Sequence, residues 1–359
     1  MSTEPRVRCA VVGAGWWGVT AHVPALKDHP RAELVAIQKR DREAARRVAR
    51  DFEVPVACTT MEQVLAVKGL QAVIVSSTPN MHYPQARAAL EAGCHVLVEK
   101  PMTVTVAQAQ ELVDLADSRG LQFIIGCPLH YTEHAAEARR HIQDGRLGHL
   151  KMISILMTNF TEGLYRGLPW KEAIGGVEAA ESPPDPYLTP GRVSYCDPAV
   201  AGGGQIYCQV SHAAAHLAFL TGSEPAEVFA RFDNANAPVD LYDVVNIKLD
   251  SGAIVGMAST GSTMKSRRTY EVRVYGTEGM ISMDPWQGTL EVHDRAGQVT
   301  RYPSLTEDRS YPDRAPARNL VDAVLGVDEN RSPATLGLSA MRVIEAACQS
   351  AESGQNIVL

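Results

Sequence analysis

Nowhere in its 359 residues does the chain hold an apolar run of the ~18 residues that a membrane-spanning helix needs. Its opening residues, MSTEPRVR, carry no apolar core ahead of the first hydrophobic stretch, so they do not read as a secretory signal. Basic charge is not in excess. Thirty-four Lys and Arg stand against 41 Asp and Glu, a net charge of −7, where a general nucleic-acid binder would need a basic surface. The seven cysteines (Cys9, Cys58, Cys94, Cys127, Cys196, Cys208 and Cys348) are odd in number, scattered, and nowhere spaced C-x-x-C. That spacing suits reduced thiols in a cytoplasmic protein and gives no structural zinc site. Internal repeats and a low-complexity tail are also missing. The composition leaves an ordinary soluble enzyme or binding protein, long enough for two domains, with no nucleic acid, membrane or metal expected as partner.

What is there begins at Val11. An apolar run, residues 7–12, leads into Gly13-Ala14-Gly15-Trp16-Trp17-Gly18 and then a helical stretch, 17–27. Strand, G-x-G-x-x-G and helix in that order form the dinucleotide fingerprint. Gly13 allows the tight turn, Gly15 lets the backbone approach a pyrophosphate, and Gly18 lets helix and strand pack closely. The helix start, around Trp16 and Trp17, offers N–H groups and a positive dipole end to phosphates. The bland reading is a glycine-rich strand-to-helix turn.

Residues 33–38 (ELVAIQ) read as the next strand, and it runs into Lys39-Arg40-Asp41. An NAD-selective domain usually places a carboxylate here for the ribose 2′-hydroxyl, whereas Lys and Arg attract a 2′-phosphate. The pair therefore favours NADP(H), with NAD(H) left open. The other reading makes Lys39 and Arg40 solvated charges and Asp41 the cap of a helix over 42–52.

The pattern continues with a strand at 54–58, a helix at 61–67, and a continuous apolar strand at 72–76 that ends in Ser77-Thr78-Pro79-Asn80-Met81-His82-Tyr83. A helix at 84–92 closes at Gly93. A strand at 95–98 runs into Glu99-Lys100-Pro101, and a helix at 106–118 and a strand at 122–125 follow. Alternating strands and helices specify a parallel, doubly wound sheet, an α/β Rossmann fold. Ligands bind outside the carboxyl ends of such strands. Gly13, Asn80, His82, Glu99 and Lys100 all follow strand ends and should meet there.

Three stretches together resemble the Gfo/Idh/MocA family of nicotinamide-dependent oxidoreductases: the glycine turn, STPNMHYPQARAALEAGCHVLVEKP at 77–101, and GGGQIYCQVSHAAAH at 202–216. The middle stretch is the most specific. The resemblance implies a Rossmann domain, placed at 1–126, and an α/β domain with a large, mostly antiparallel sheet, placed at 127–359, whose sheet serves as the face of a homodimer or homotetramer. It implies sugars, cyclic polyols or pyranosides as substrates. It puts the catalytic lysine on Lys100, which also touches substrate, and a substrate-binding, proton-relaying histidine on His212. The family's two helix aspartates fall on Cys208 and Ala215, so their roles are not carried over. Cofactor contacts are expected from Gly13, Gly15, Trp16, Trp17, Gly18, Lys39, Arg40, Ser77, Thr78, Pro79, Asn80, His82, Glu99 and Lys100.

Lys100 also has a reading of its own. Hydride transfer at a carbinol carbon needs a proton removed from, or delivered to, the oxygen, and a lysine beside a cationic nicotinamide can do this. The alternative is ordinary ion pairing. Residues 205, 208, 209 and 212 share a face in a regular helix, so Gln205, Cys208, Gln209 and His212 are expected at the substrate. His130 and Tyr131 either line the substrate pocket or pack internally. His212 and His216 have i, i+4 spacing, but no acidic third ligand is near, which speaks against a metal. Residues 161–201, with Trp170 and Tyr187, form a long lid, a binding loop or a surface excursion. Beyond residue 221, seven short strands separated by tight turns predict antiparallel pairing, closed by helices at 315–325 and 338–351. Three functions compete. One is an NADP(H)-preferring sugar or polyol oxidoreductase. Another is a lyase or glycosidase-like enzyme that uses bound cofactor for transient oxidation. The third is a non-catalytic NADPH sensor, against which Lys100 and His212 speak.

Overall fold

In the computed structural model, which describes residues 5–173 and 189–359, strand and helix alternate through the N-terminal half. β1 (Val7–Val12), β2 (Ala32–Gln38), β3 (Val56–Cys58), β4 (Ala72–Val75), β5 (His95–Glu99) and β6 (Phe123–Gly126) pair in parallel in the order β3-β2-β1-β4-β5-β6. Sheet growth reverses between β1 and β4, the position where such sheets bind ligands beyond their strand ends. Val11, Ile74 and Leu97 are fully buried, because helices cover both faces of a parallel sheet.

Two local expectations change. The helix expected from Pro84 starts at Pro79 and runs to Glu91, with Thr78 extended ahead of it. A proline at the first helical position loses no hydrogen bond, so Pro79 sets the start and Pro84 is carried inside. The helix after the glycine turn is not regular either. A π turn, Gly18–His22, precedes the α-helical Val23–Lys27. Thr20 Oγ1 donates to the carbonyls of Trp16 (2.9 Å) and Trp17 (3.4 Å), an acceptor pair that the wider turn leaves open to a side chain.

The chain divides into two units. Among the described residues the first comprises 5–127, 189–194 and 313–338, and the second 128–173, 195–312 and 339–359. In the first, the helix Ala315–Val324 buries Ala317, Leu320 and Val321 in the same core as Val11, Ile74 and Leu97.

The second unit holds β7 (Leu150–Thr158), β8 (Pro225–Asp233), β9 (Tyr242–Leu249), β10 (Ile254–Thr260), β11 (Thr269–Gly276), β12 (Gly279–Asp284), β13 (Thr289–Asp294), β14 (Val299–Arg301) and β15 (Ile357–Val358). They form one sheet in the order β14-β13-β12-β11-β7-β10-β9-β8-β15. Every pairing is antiparallel except β7 with β10, because β7 comes from far upstream and inserts between two hairpin systems. β9 alternates strictly: Val245, Ile247 and Leu249 point inward, and Tyr242 and Val244 outward. Met152, Leu156 and Ile254 join them as exposed apolar side chains on this sheet.

Part of the stretch expected as one long loop is helical: Glu162–Tyr165, Trp170–Ala173, Val193–Cys196 and Pro198–Ala201. Tyr187 lies outside the described residues. Among those described, no helix is long and apolar enough to cross a membrane.

Candidate functional site

In the first unit, the glycine turn folds onto the end of β2. Gly13 and Ala14 donate their N–H groups to the Gln38 carbonyl at 3.1 and 3.0 Å, and Gly13 also faces Gln38 Oε1 at 3.1 Å. Gly13 has φ +72°, and a Cβ there would come within 2.5 Å of the Ser77 backbone. Glycine is therefore required twice over, by conformation and by the close approach of β1 and β4. A Cβ on Gly18 would meet the Gly13 carbonyl at 3.2 Å, whereas one on Gly15 would meet only that carbonyl, at 3.8 Å. The open side of Gly15 suits close backbone contact with a ligand. These residues fit a dinucleotide, with the turn available to the pyrophosphate.

Lys39 lies at the expected strand end, but its ammonium is not simply solvated. Nζ donates to the Ala14 carbonyl at 2.7 Å. Burial pushes Lys39 below the usual lysine range, partly opposed by Asp41. Arg40 is exposed beside it. Asp41 caps the helix Arg42–Asp51 by accepting the Ala44 N–H at 2.7 Å, as the alternative reading foresaw.

Glu99, at the end of β5, is a hub. Its Oε1 accepts Trp17 Nε1–H at 2.8 Å and pairs with His22 Nε2 at 2.9 Å, while Oε2 accepts the Lys100 backbone N–H at 3.2 Å. Burial alone would push this carboxyl up. The bond and charge of His22, the charge of Lys100 and the Trp17 bond outweigh burial and hold Glu99 below the usual carboxylate range. Glu99 and the indole N–H of Trp17, both expected at the cofactor, are thus hydrogen-bonded within the protein itself. Trp16 packs edge-on against Trp17, with ring centroids 5.7 Å apart. Lys100 itself is half-buried and directly precedes Pro101 across a cis peptide bond.

His82 also departs from its expected role at the cofactor. Fully buried, it spans two backbone carbonyls: Nδ1 lies 2.8 Å from Pro101 O, and Nε2 3.1 Å from Ser77 O. Burial holds it below the usual imidazole range against the pull of those carbonyls and of Glu99. It clamps the loop after β4 to the turn after β5. Ser77 Oγ donates to Gln85 Oε1 at 2.6 Å, and Thr78 Oγ1 to Asn80 Oδ1 at 2.7 Å. Pro79 is half-buried and Asn80 exposed at the start of their helix.

In the second unit, a π turn, Ile206–Val210, leads into the helix Ser211–Thr221. Residues 205, 208, 209 and 212 therefore do not lie on one regular α-helix, as the shared-face expectation assumed. Gln205 is fully buried: Tyr165 donates to its Oε1 at 2.9 Å, and its Nε2 donates to Ser259 Oγ at 2.7 Å. Both ends of the amide are satisfied inside the unit, so Gln205, expected at the substrate, sits as a hydrogen-bonded core residue. Cys208 is half-buried and accepts Gln209 Nε2–H at 3.5 Å. His212 is buried, edge-on to Tyr311 with ring centroids 6.3 Å apart.

Residues 202–204 serve a partner that the sequence did not reveal. The Asp240 carboxylate accepts the N–H groups of Gly204 and Ile206, each at 2.7 Å. A Cβ on Gly202 or Gly203 would strike the Tyr207 ring, and one on Gly204 the Asp240 carbonyl. The glycines let the chain wrap Tyr207 and close onto an acidic cap.

His130 takes the internal alternative. It stacks on Phe219 at 4.7 Å, with the rings 6° from parallel, and Arg139 sits over the Phe219 ring. Burial, then His216 and Arg139, hold His130 well below the usual imidazole range. Tyr131 beside it is half-buried. His216 pairs with Tyr270 Oη at 3.0 Å and is pushed down to about 3 by burial. Among the described residues, no three His, Cys, Asp or Glu side chains gather as a metal site.

Two family models match. That of the oxidoreductase family with NAD-binding Rossmann fold matches residues 7–127, and that of the GFO/IDH/MocA C-terminal domain matches 171–282. The chain belongs to the Gfo/Idh/MocA family. Among Gfo/Idh/MocA relatives, an uncharacterized oxidoreductase of Synechocystis sp. is 36% identical over 155 residues, 43% of this chain and 42% of that one. A dTDP-3,4-didehydro-2,6-dideoxy-alpha-D-glucose 3-reductase of Streptomyces antibioticus is 29% identical over 329 residues, 91% of this chain and 90% of the relative. The fold matches that of GenD2 from gentamicin A biosynthesis, solved with NAD: TM-score 0.79, 24% identity, 100% of this chain and 98% of that one. The family's first domain is an NAD-binding Rossmann fold, and the glycine turn described above is its signature.

Proposed function

We propose that this protein is an NADP(H)-preferring oxidoreductase that transfers hydride between nicotinamide and a secondary hydroxyl or ketone of a cyclic sugar, glycoside or polyol. The observation that carries the reading is the placement of Lys100 immediately after β5, its backbone N–H tied to the buried Glu99 carboxylate beside the glycine turn. A sugar-acting relative spanning most of the chain supports the substrate class. Nicotinamide, when bound, supplies or accepts the hydride. The turn at Gly13–Gly18 holds the pyrophosphate, and Lys39 with Arg40 faces the 2′-phosphate. Lys100 takes the proton from the reacting hydroxyl or returns it to the carbonyl oxygen. His212 orients the sugar and assists the relay. The exposed apolar face of the second sheet, around Val244 and Ile254, is the surface on which copies of the chain associate.

Replacing Lys100 by Met keeps the apolar stem and removes the ammonium. Loss of a general acid–base group costs ~10²–10⁴ in rate. Steady-state turnover with pyranosides, inositols and keto sugars is to be compared with cofactor titration of the same variant. Turnover should collapse while cofactor binding changes little, since the glycine turn holds the phosphates; near-normal turnover would remove Lys100 from the chemistry. In the same assay, product formed without net change in nicotinamide absorbance would point to the lyase-like alternative.

A further inference from the structure

His22 lies outside every motif that the sequence singles out. It is the last residue of the π turn Gly18–His22 and is fully buried. Nε2 is 2.9 Å from Glu99 Oε1, and Nδ1 is buried with no hydrogen-bond partner among the described residues. A buried, unsatisfied ring nitrogen is a cost that an apolar residue of similar size would avoid. The useful product of the ring is therefore its bond to Glu99. That carboxylate in turn takes the Trp17 indole N–H and the Lys100 backbone N–H. Gly126 of β6 leaves the space in which it sits, because a Cβ there would come 2.5 Å from Oε1.

We propose that His22 is a positioning residue for the reaction: through Glu99 it fixes the turn that carries Lys100. The proposal rests on the catalytic reading of Lys100 given above. His22 touches neither cofactor phosphates nor substrate in this role. It keeps a carboxylate in place within a site that burial would otherwise empty of charge, as the opposing effects of burial and of His22 on Glu99 indicate.

The test is a set of full-length variants measured for turnover, NADPH affinity and thermal unfolding. His22→Leu should lower kcat about 10- to 100-fold, the scale of one lost hydrogen bond to a charged group. Its NADPH affinity should stay within about threefold, since the phosphate contacts are untouched. His22→Gln, whose amide N–H can reach the same oxygen, should recover most of the lost turnover. A purely structural role would lower unfolding temperature in both variants without this rescue. In a Lys100→Met background, adding His22→Leu should cost no more than about twofold further, because the two act through one step. Should His22→Leu fail to fold, Glu99→Gln carries the same comparison. Near-normal kcat in His22→Leu or Glu99→Gln, or no rescue by Gln, overturns the positioning role while leaving Lys100 standing if Lys100→Met is inactive. Normal turnover in Lys100→Met overturns both.

Discussion

Gly126 lies beneath the carboxylate of Glu99: the two pair across β5 and β6, and a side chain at 126 would collide with Oε1 at 2.5 Å and Cδ at 2.8 Å. The residue that ends the last Rossmann strand is thus small because the residue that ends the neighbouring strand is large, charged and buried. Gly126→Ala should push the carboxylate off His22 and Trp17. Overpacking of this kind costs about 1–3 kcal/mol. Thermal unfolding should fall accordingly, and kcat should fall with it, which separates this site from a remote cavity-filling change.

The proposed NADP preference assigns cofactor choice to Lys39. Charge-assisted contacts to phosphate contribute on the order of 1.5–3 kcal/mol, so Lys39→Asp should shift the NADP/NAD preference about 10- to 100-fold toward NAD. The same ammonium holds the Ala14 carbonyl, so some loss of NAD binding should accompany the switch. Titration of wild type and variant with both cofactors measures each effect. Equal or tighter binding of NAD by the wild type would defeat the NADP preference.

Buried neutral histidines make the second unit sensitive to acid. His216 is pushed down from 6.5 to about 3 in the fold. Between those values the unfolded chain takes up a proton that the folded chain refuses, so stability falls as pH drops through that window, by up to ~1.4 kcal/mol per pH unit. Asp243, raised by burial and by Asp240, works in the opposite direction. Comparing variants cancels it. His216→Gln should flatten the pH dependence of unfolding free energy between about pH 6 and 4 by nearly one proton relative to wild type. An unchanged slope would mean that the ring charges without unfolding.

The outer face of the second sheet carries Val244 and Ile254 at 50% and 56% exposure, on neighbouring strands. If copies associate there, Val244→Lys with Ile254→Asp should yield monomers by light scattering while leaving the far-ultraviolet circular dichroism unchanged. A wild type that is already monomeric at micromolar concentration would remove this surface from the assembly.

Much of this architecture could be read from the residues. The helix 106–118 and the strand 289–293 are patterned at clean periods, and the strand 7–12 is an apolar run ended by a glycine turn, so local chemistry specifies them. Gly13 and Gly18 were readable because backbone geometry leaves them no substitute. What stayed hidden depends on distant partners. Gln205 looked like a substrate ligand because an amide is a poor core residue; Tyr165 and Ser259, far away in sequence, make it a good one. His82 follows a strand end, yet each of its nitrogens faces a backbone carbonyl, and the neutral ring donates its one N–H to one of them. The π turns at Gly18–His22 and Ile206–Val210 follow no period that a helical wheel can show. The parallel pairing of β7 with β10 is likewise invisible to turn-by-turn reading, because no turn joins them.

The return of Asp313–Leu338 to the first unit sets the order in which this protein can be made. Leu320 and Val321 sit in the core that Val11, Ile74 and Leu97 already share, so the parallel sheet has an uncovered apolar patch until that helix leaves the ribosome. At about 5–20 residues per second, the stretch from 128 to 314 takes roughly 10–40 s to synthesise. For that interval the nucleotide-binding half exists with its six strands complete and its last covering helix still unborn. Nascent chains arrested before residue 315 should therefore bind chaperones and resist neither protease nor aggregation, and those arrested well past 338 should do both.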